Sequence, residues 1–182
     1  MKEIKFGTPM GEIINNPDFE KIERLIMNRG IEFWESGSGQ SIIEYSDGNL
    51  TSTLYICIAE DYGFYLEFCK NNKYYIILKD EDFKDTTEVY IEGEPILVPR
   101  SMFIDKKETV EQVRSIFYSG DVDYTTCNWV EKEKVNWQYG EEFNGQESEK
   151  VKYSSFKEVV INNSKIKRKW MTKKNLSTLL PQ

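Results

Sequence analysis

Carboxylates dominate the side chains here that could do acid–base chemistry: the 182 residues hold 31 Asp and Glu and no histidine. That missing type removes the commonest general base, the usual partner of a Ser or Cys nucleophile, and the commonest metal ligand. Hydrolase triads of the Ser-His and Cys-His kinds are excluded. Glu92 and Glu94 stand two apart, which would put both on one strand face as glycosidase carboxylates can be. Acids are so frequent here that such pairs arise by chance, and we expect no catalytic residue, no enzyme activity and no cofactor. Cys57, Cys69 and Cys127 show neither metal-like nor redox-like spacing, and two of them sit in apolar strand-like runs where a small buried hydrophobe belongs. "GSGQS" near Gly37 lacks the later glycine and the lysine of a phosphate loop. "DEDFKD" lacks the glycine and spaced ligands of an EF-hand, so it reads as a solvated acidic loop and no metal site is expected.

The elements that would hold these residues are legible in part. "NNPDFEKIERLIMNRG" predicts a helix with Asn16 as N-cap, Pro17 at its first position and Gly30 as its stop. Phe19, Ile22, Leu25 and Ile26 give it one apolar face. From Ser41 the period changes: "SIIEYS", "TSTLYICIAE", "GFYLEFCK" and "KYYIILKD" are β-branched and aromatic, separated by "DGN", "EDYG" and "NN". Asp47 to Asn49, and Asn71 with Asn72, can take positive φ, so at least two joints should be tight antiparallel hairpins. In "GFYLEFCK", Phe64, Leu66 and Phe68 share one face while Tyr65 and Glu67 point the other way, which predicts a strand with one buried side. "TEVYIEGEPILVPRSMFI" resumes extended structure, with Pro95 and Pro99 restricting it to an edge strand or a long connection. A second helix follows, with Asp105 and Glu108 as a capping box, an apolar stripe of Val110, Val113 and Phe117, and Gly120 as its end. "YTTCNWVE" and "FKEVVIN" read as further strands, and "KIKRKWMTKKNLSTLL" as a basic helix with Trp170, Leu176 and Leu179 on its dry side. The expected fold class is α+β: a mostly antiparallel meander with two or three helices packed on it. One domain is expected over residues 1–160, with a basic C-terminal extension over 161–182.

Composition supports a folded chain, with 39% apolar, 30% charged and 14% aromatic residues. The first twenty residues contain no signal-like apolar run, and no uncharged stretch approaches the roughly 20 residues a spanning helix needs. A cytoplasmic protein without membrane contact is expected. The formal net charge is −7, yet no acid follows Glu158, whereas six cations (Lys165, Lys167, Arg168, Lys169, Lys173 and Lys174) do, so the rest carries −13. A body that acidic repels nucleic acid and favours a cationic partner. The basic tail, with its tryptophan, is expected to fold back onto that body rather than to track phosphates.

The order "VYIEGEPILVPRSMFIDKKETVEQVRSIFYSGDVDYTTCNWVE" resembles immunity protein family one of bacterial polymorphic toxin systems. The resemblance rests on a short strand with a glycine (Tyr90 to Gly93), the Val98-Pro99 step, a helix from Val110 to Phe117 ending at Gly120, and a strand closing on Trp129. It spans roughly Gly11 to Val130 and stops before Glu133. Membership implies a non-enzymatic antidote that binds a cognate toxin's C-terminal domain, often a nuclease or deaminase, in the cytoplasm of the producing cell. A toxin acting on nucleic acid needs a basic cleft, which an acidic inhibitor can block sterically and electrostatically. Aromatic anchors among acids would make the contact surface. The favoured cluster is Trp137, Tyr139, Glu141, Glu142 and Phe143; the second is Asp80, Glu81, Asp82 and Asp85 around Phe83; the third is Asp121 with Asp123. The competing interpretation of the first cluster is two core aromatics with a wet rim of glutamates. The competing function is a non-catalytic protein-interaction or small-ligand-binding domain. The oligomeric state is open.

Overall fold

The computed structural model describes residues 2–59, 62–135 and 137. In chain order the strands are β1 (Glu3–Gly7), β2 (Ile13–Asn15), β3 (Gln40–Ser46), β4 (Thr51–Ala59), β5 (Gly63–Lys70), β6 (Lys73–Ile77), β7 (Thr86–Ile91), β8 (Glu94–Pro99), β9 (Phe103–Ile104) and β10 (Trp129–Glu131). The helices are α1 (Phe19–Asn28), α2 (Ile31–Trp34) and α3 (Lys106–Ser119). Eight of the described strands form one antiparallel sheet in the order β10-β6-β5-β4-β3-β1-β2, with β9 lying along the first residues of β5. The fold is thus α+β, with a meander from β3 to β6 at its centre. The expected strand FKEVVIN, the basic extension and most of the favoured aromatic cluster lie outside the described residues.

Strand alternation assigns the two faces of this sheet. Ile43, Leu54, Ile56, Phe64, Leu66 and Phe68 point to the three helices and share one core with Ile22, Ile26, Trp34, Val113 and Ile116. On α1, Phe19, Ile22 and Ile26 are buried, and Phe19 meets α3 through the Phe117 ring, 5.6 Å between centroids. Helix α3 begins on the capping box expected of it, since Asp105 Oδ1 accepts from the Glu108 N–H at 2.8 Å and Glu108 Oε2 accepts from the Asp105 N–H at 2.9 Å. Gly120 ends it in the left-handed region at φ 73°, where its missing side chain lets the Tyr45 ring lie against the backbone.

The opposite face is also covered, which corrects the expectation that β5 has a single buried side. Strands β7 and β8 form a separate two-stranded hairpin that lies over the sheet. Val89, Ile91 and Val98 pack with Cys57, Tyr65, Ile76, Met102 and Phe103 in a second core. Glu67 therefore points into protein, 2% exposed, rather than into solvent.

Three further expectations need correction. Asn16 does not cap α1: it turns the chain at φ 46° and its Oδ1 accepts from the Ile4 N–H at 3.0 Å, tying the turn to β1, while Asp18 occupies the N-cap position. Gly30 stands at the N-cap of α2, and the C-cap of α1 is Arg29. The YTTCNWVE segment is strand only from Trp129, because Asp123 to Thr126 close a turn on Gln112 of α3.

Replacing Asp105 with alanine should cost about 1 kcal/mol, the usual loss for an N-cap. Gly120→Ala should cost more than about 1 kcal/mol, since it adds left-handed strain and a clash with Tyr45. Urea midpoints at unchanged slope are the measurement, and wild-type midpoints for both variants would contradict these assignments.

Candidate partner-binding surface

Hairpin β7–β8 turns through Glu92 and Gly93, both at positive φ (54° and 86°), as a two-residue antiparallel connection requires. Glu92 is therefore a turn residue, and the expected placement of Glu92 and Glu94 on one strand face is not found. Register decides what the hairpin shows to solvent. Val89 faces Ile96 and Thr87 faces Val98 on the buried side, whereas Glu88 faces Leu97 and Tyr90 faces Pro95 on the outer side. Tyr90 is 38% exposed; its hydroxyl bonds to Glu88, which raises its pKa, and Glu35 adds to the effect.

The hairpin tip is held by a close backbone approach. Gly93 N–H donates to the Ser38 carbonyl at 2.9 Å, and Ser38 N–H donates to the Pro9 carbonyl at 3.0 Å. Gly39 lies against Tyr90 so closely that a Cβ there would collide with the tyrosine, and its φ of 72° is one that side chains rarely adopt. Gly37 to Gly39 thus form a turn before β3, and it holds the tip of the hairpin.

At the other end of the hairpin stands the acidic loop. Asp80, Glu81, Asp82 and Asp85 are all exposed, while Phe83 is half-buried against the second core. Asp80 Oδ1 accepts from the Asp82 N–H at 2.9 Å and Asp82 Oδ1 from the Lys84 N–H at 3.1 Å, so two of the carboxylates shape the loop that carries them. Asp85 pairs with Arg100 at 2.8 Å, and that guanidinium sits 3.9 Å from the Tyr62 ring centroid. The outer face of the hairpin thus carries Tyr90, Pro95 and Leu97 with Glu88, while exposed Glu94 pairs with Ile91 at the tip and exposed Glu81 stands in the loop at the other end.

The remaining candidates are placed differently. Trp137 is half-buried against the second core, as are Val130 and Val135; Tyr139, Glu141, Glu142 and Phe143 lie outside the described residues. Asp121 forms an ion pair with Lys70 and a hydrogen bond with Tyr124, whose pKa is pushed up to about 12 by burial first and by this carboxylate second. Asp123 accepts from the Thr125 N–H at 2.8 Å and its hydroxyl at 2.6 Å, which hold its pKa below the usual carboxylate range. Both acids serve the α3–β10 turn, and Tyr124 is the exposed aromatic beside them.

Sequence reading missed the buried polar cluster beneath the hairpin. Glu67 Oε2 accepts from Lys132 Nζ at 2.7 Å and from the Tyr65 hydroxyl at 3.0 Å. Burial pulls the Lys132 pKa down, opposed by Glu67. Cys57 and Tyr55 line the same sheet face, and burial is the main cause raising the pKa of each. The pair fastens the turn after β10 to the central strand. Among the described residues, no group of three or more His, Cys, Asp or Glu is placed to hold a metal ion, and no helix is long and apolar enough to cross a membrane. No family model, curated protein or solved structure matches this chain.

Removing one partner of a buried ion pair strands the other, so Glu67→Ala should cost about 3–5 kcal/mol. The double change Glu67→Leu with Lys132→Met should lie much closer to wild type, as read by chemical denaturation. Equal losses in the single and double variants would deny the coupling.

Proposed function

We propose that this protein is an immunity protein that binds and neutralises the C-terminal domain of a cognate bacterial toxin, one acting on nucleic acid, in the cytoplasm and without chemistry of its own. What supports the reading most is the outer face of β7–β8 with loop 80–85. Aromatic and apolar groups at the centre and carboxylates at the margin are the anatomy of a protein interface. The sign of the charge selects a basic cleft.

Electrostatics of the whole body favour the same kind of partner. Residues 1–137 carry fifteen Lys and Arg against twenty-six Asp and Glu, a net of −11. Eight of the described cations are held in ion pairs, while Glu81, Glu88 and Glu94 have no ion-pair partner among the described residues. Unneutralised carboxylates over a fixed β-hairpin stand where a toxin's nucleic-acid phosphates would otherwise lie. Blockade is then steric and electrostatic together, and the charged margin would speed encounter at low salt.

Co-expression with the C-terminal domain of the large secreted protein expected beside this gene tests the reading. Wild type should restore growth and co-purify with that domain. The variant Glu88→Lys, Tyr90→Ala, Glu94→Lys should lose rescue while melting as wild type does. Full rescue by this variant would move the contact elsewhere; no complex with a toxic neighbour would overturn the function.

A further inference from the structure

The other side of the molecule carries a feature that the toxin-facing surface does not use. Lys21, Arg24, Leu25, Asn28 and Arg29 line an open groove of about 380 Å³ on the outer face of α1. Leu25 is half-buried against the core, whereas Lys21, Arg24 and Asn28 follow one another at helical spacing opposite the buried Phe19, Ile22 and Ile26. Their side chains therefore share one solvent face, about 10 Å long. None of the three cations has an ion-pair partner among the described residues, although residues 1–137 hold twenty-six acids against fifteen cations.

Two of the guanidiniums are held in place. Arg24 Nε donates to the Glu20 carbonyl at 3.2 Å, which leaves its terminal nitrogens unengaged. Arg29 sits over the Phe33 ring, 5.5 Å from its centroid. Lys106 reaches the same end of the helix and donates to the Met27 carbonyl at 3.2 Å. Complementing the helix dipole would account for Arg29 and Lys106 at the C-terminal end. It does not account for Lys21, which lies in the first turn where a cation is unfavourable.

We propose that this groove binds a small phosphate-bearing ligand, a phosphomonoester or a diphosphate. Three like charges around one concavity repel each other, and a ligand with two or more negative charges relieves that repulsion. Two planar guanidinium forks match phosphate oxygens, Lys21 adds a point charge, and the Asn28 amide can donate to a further oxygen. A single carboxylate brings one charge and two oxygens, too few for this donor set. Nucleic acid is disfavoured because the groove is short and the surrounding body is acidic. The groove lies across the sheet from β7–β8, so this proposal stands independently of the immunity reading.

Titration of the full chain with inorganic pyrophosphate at fixed ionic strength is the test, followed by calorimetry and by thermal shift. The expected result is saturable one-to-one binding with a raised melting temperature. Arg24→Gln and Lys21→Gln should each weaken binding roughly tenfold or more. Lys84→Gln, which changes an exposed cation elsewhere that has no ion pair among the described residues, should leave it unchanged. Binding that does not saturate, or that is equal in all three variants, would overturn the proposal. So would binding of a 20-mer RNA, lost in the α1 variants, without binding of pyrophosphate.

Discussion

Strand β5 has no face for water, and most of the architecture follows from that. Phe64, Leu66 and Phe68 on one side and Tyr65 and Glu67 on the other are all buried. A strand buried on both faces needs cover from two layers. Helices α1 to α3 supply one layer; hairpin β7–β8, with Met102 and Phe103, supplies the other. Even the edge of β5 is divided, with β9 pairing at Phe64 and Tyr65 and β6 from Glu67 onward. Burying Glu67 is the cost of this arrangement, and Lys132 with Tyr65 offsets it.

The meander was readable because each strand is long, β-branched and bounded by residues that tolerate positive φ. Asn71 and Asn72 sit at φ 52° and 61°, as a tight hairpin turn demands. Helix α3 was readable for the same local reason: its cap, stripe and stop all lie within the element. What failed depended on distant partners. The alternation in β5 marks two faces but does not say that a hairpin twenty residues later covers the polar one. Asn16 beside Pro17 looks like a cap locally, and only pairing between β1 and β2 turns its side chain back to Ile4. Glu92-Gly93 is turn chemistry that the flanking prolines obscured. Strands β1 and β2 are short and carry weak periodicity, and they were not anticipated.

The candidate surface was legible in its parts and not in its assembly. Asp80 to Asp85 stood out as a charged run. Their continuity with Glu88, Tyr90 and Leu97 depends on the hairpin register, which sets every second residue outward. Asp121 and Asp123 show the converse, since a turn recruits both for its own hydrogen bonds. Charge follows the layers as well: among the described residues the hairpin side holds acids without ion pairs, and the groove on α1 holds cations without them.

We propose that the hairpin layer, which the fold needs as cover for β5, also presents the surface that meets a toxin. The first measurement to make is hydrogen–deuterium exchange on the full chain, free and with the proposed toxin domain. New protection is expected over residues 80–97, with exchange along α1 unchanged. Protection confined to the helix side, with 80–97 exchanging as in the free protein, would contradict it.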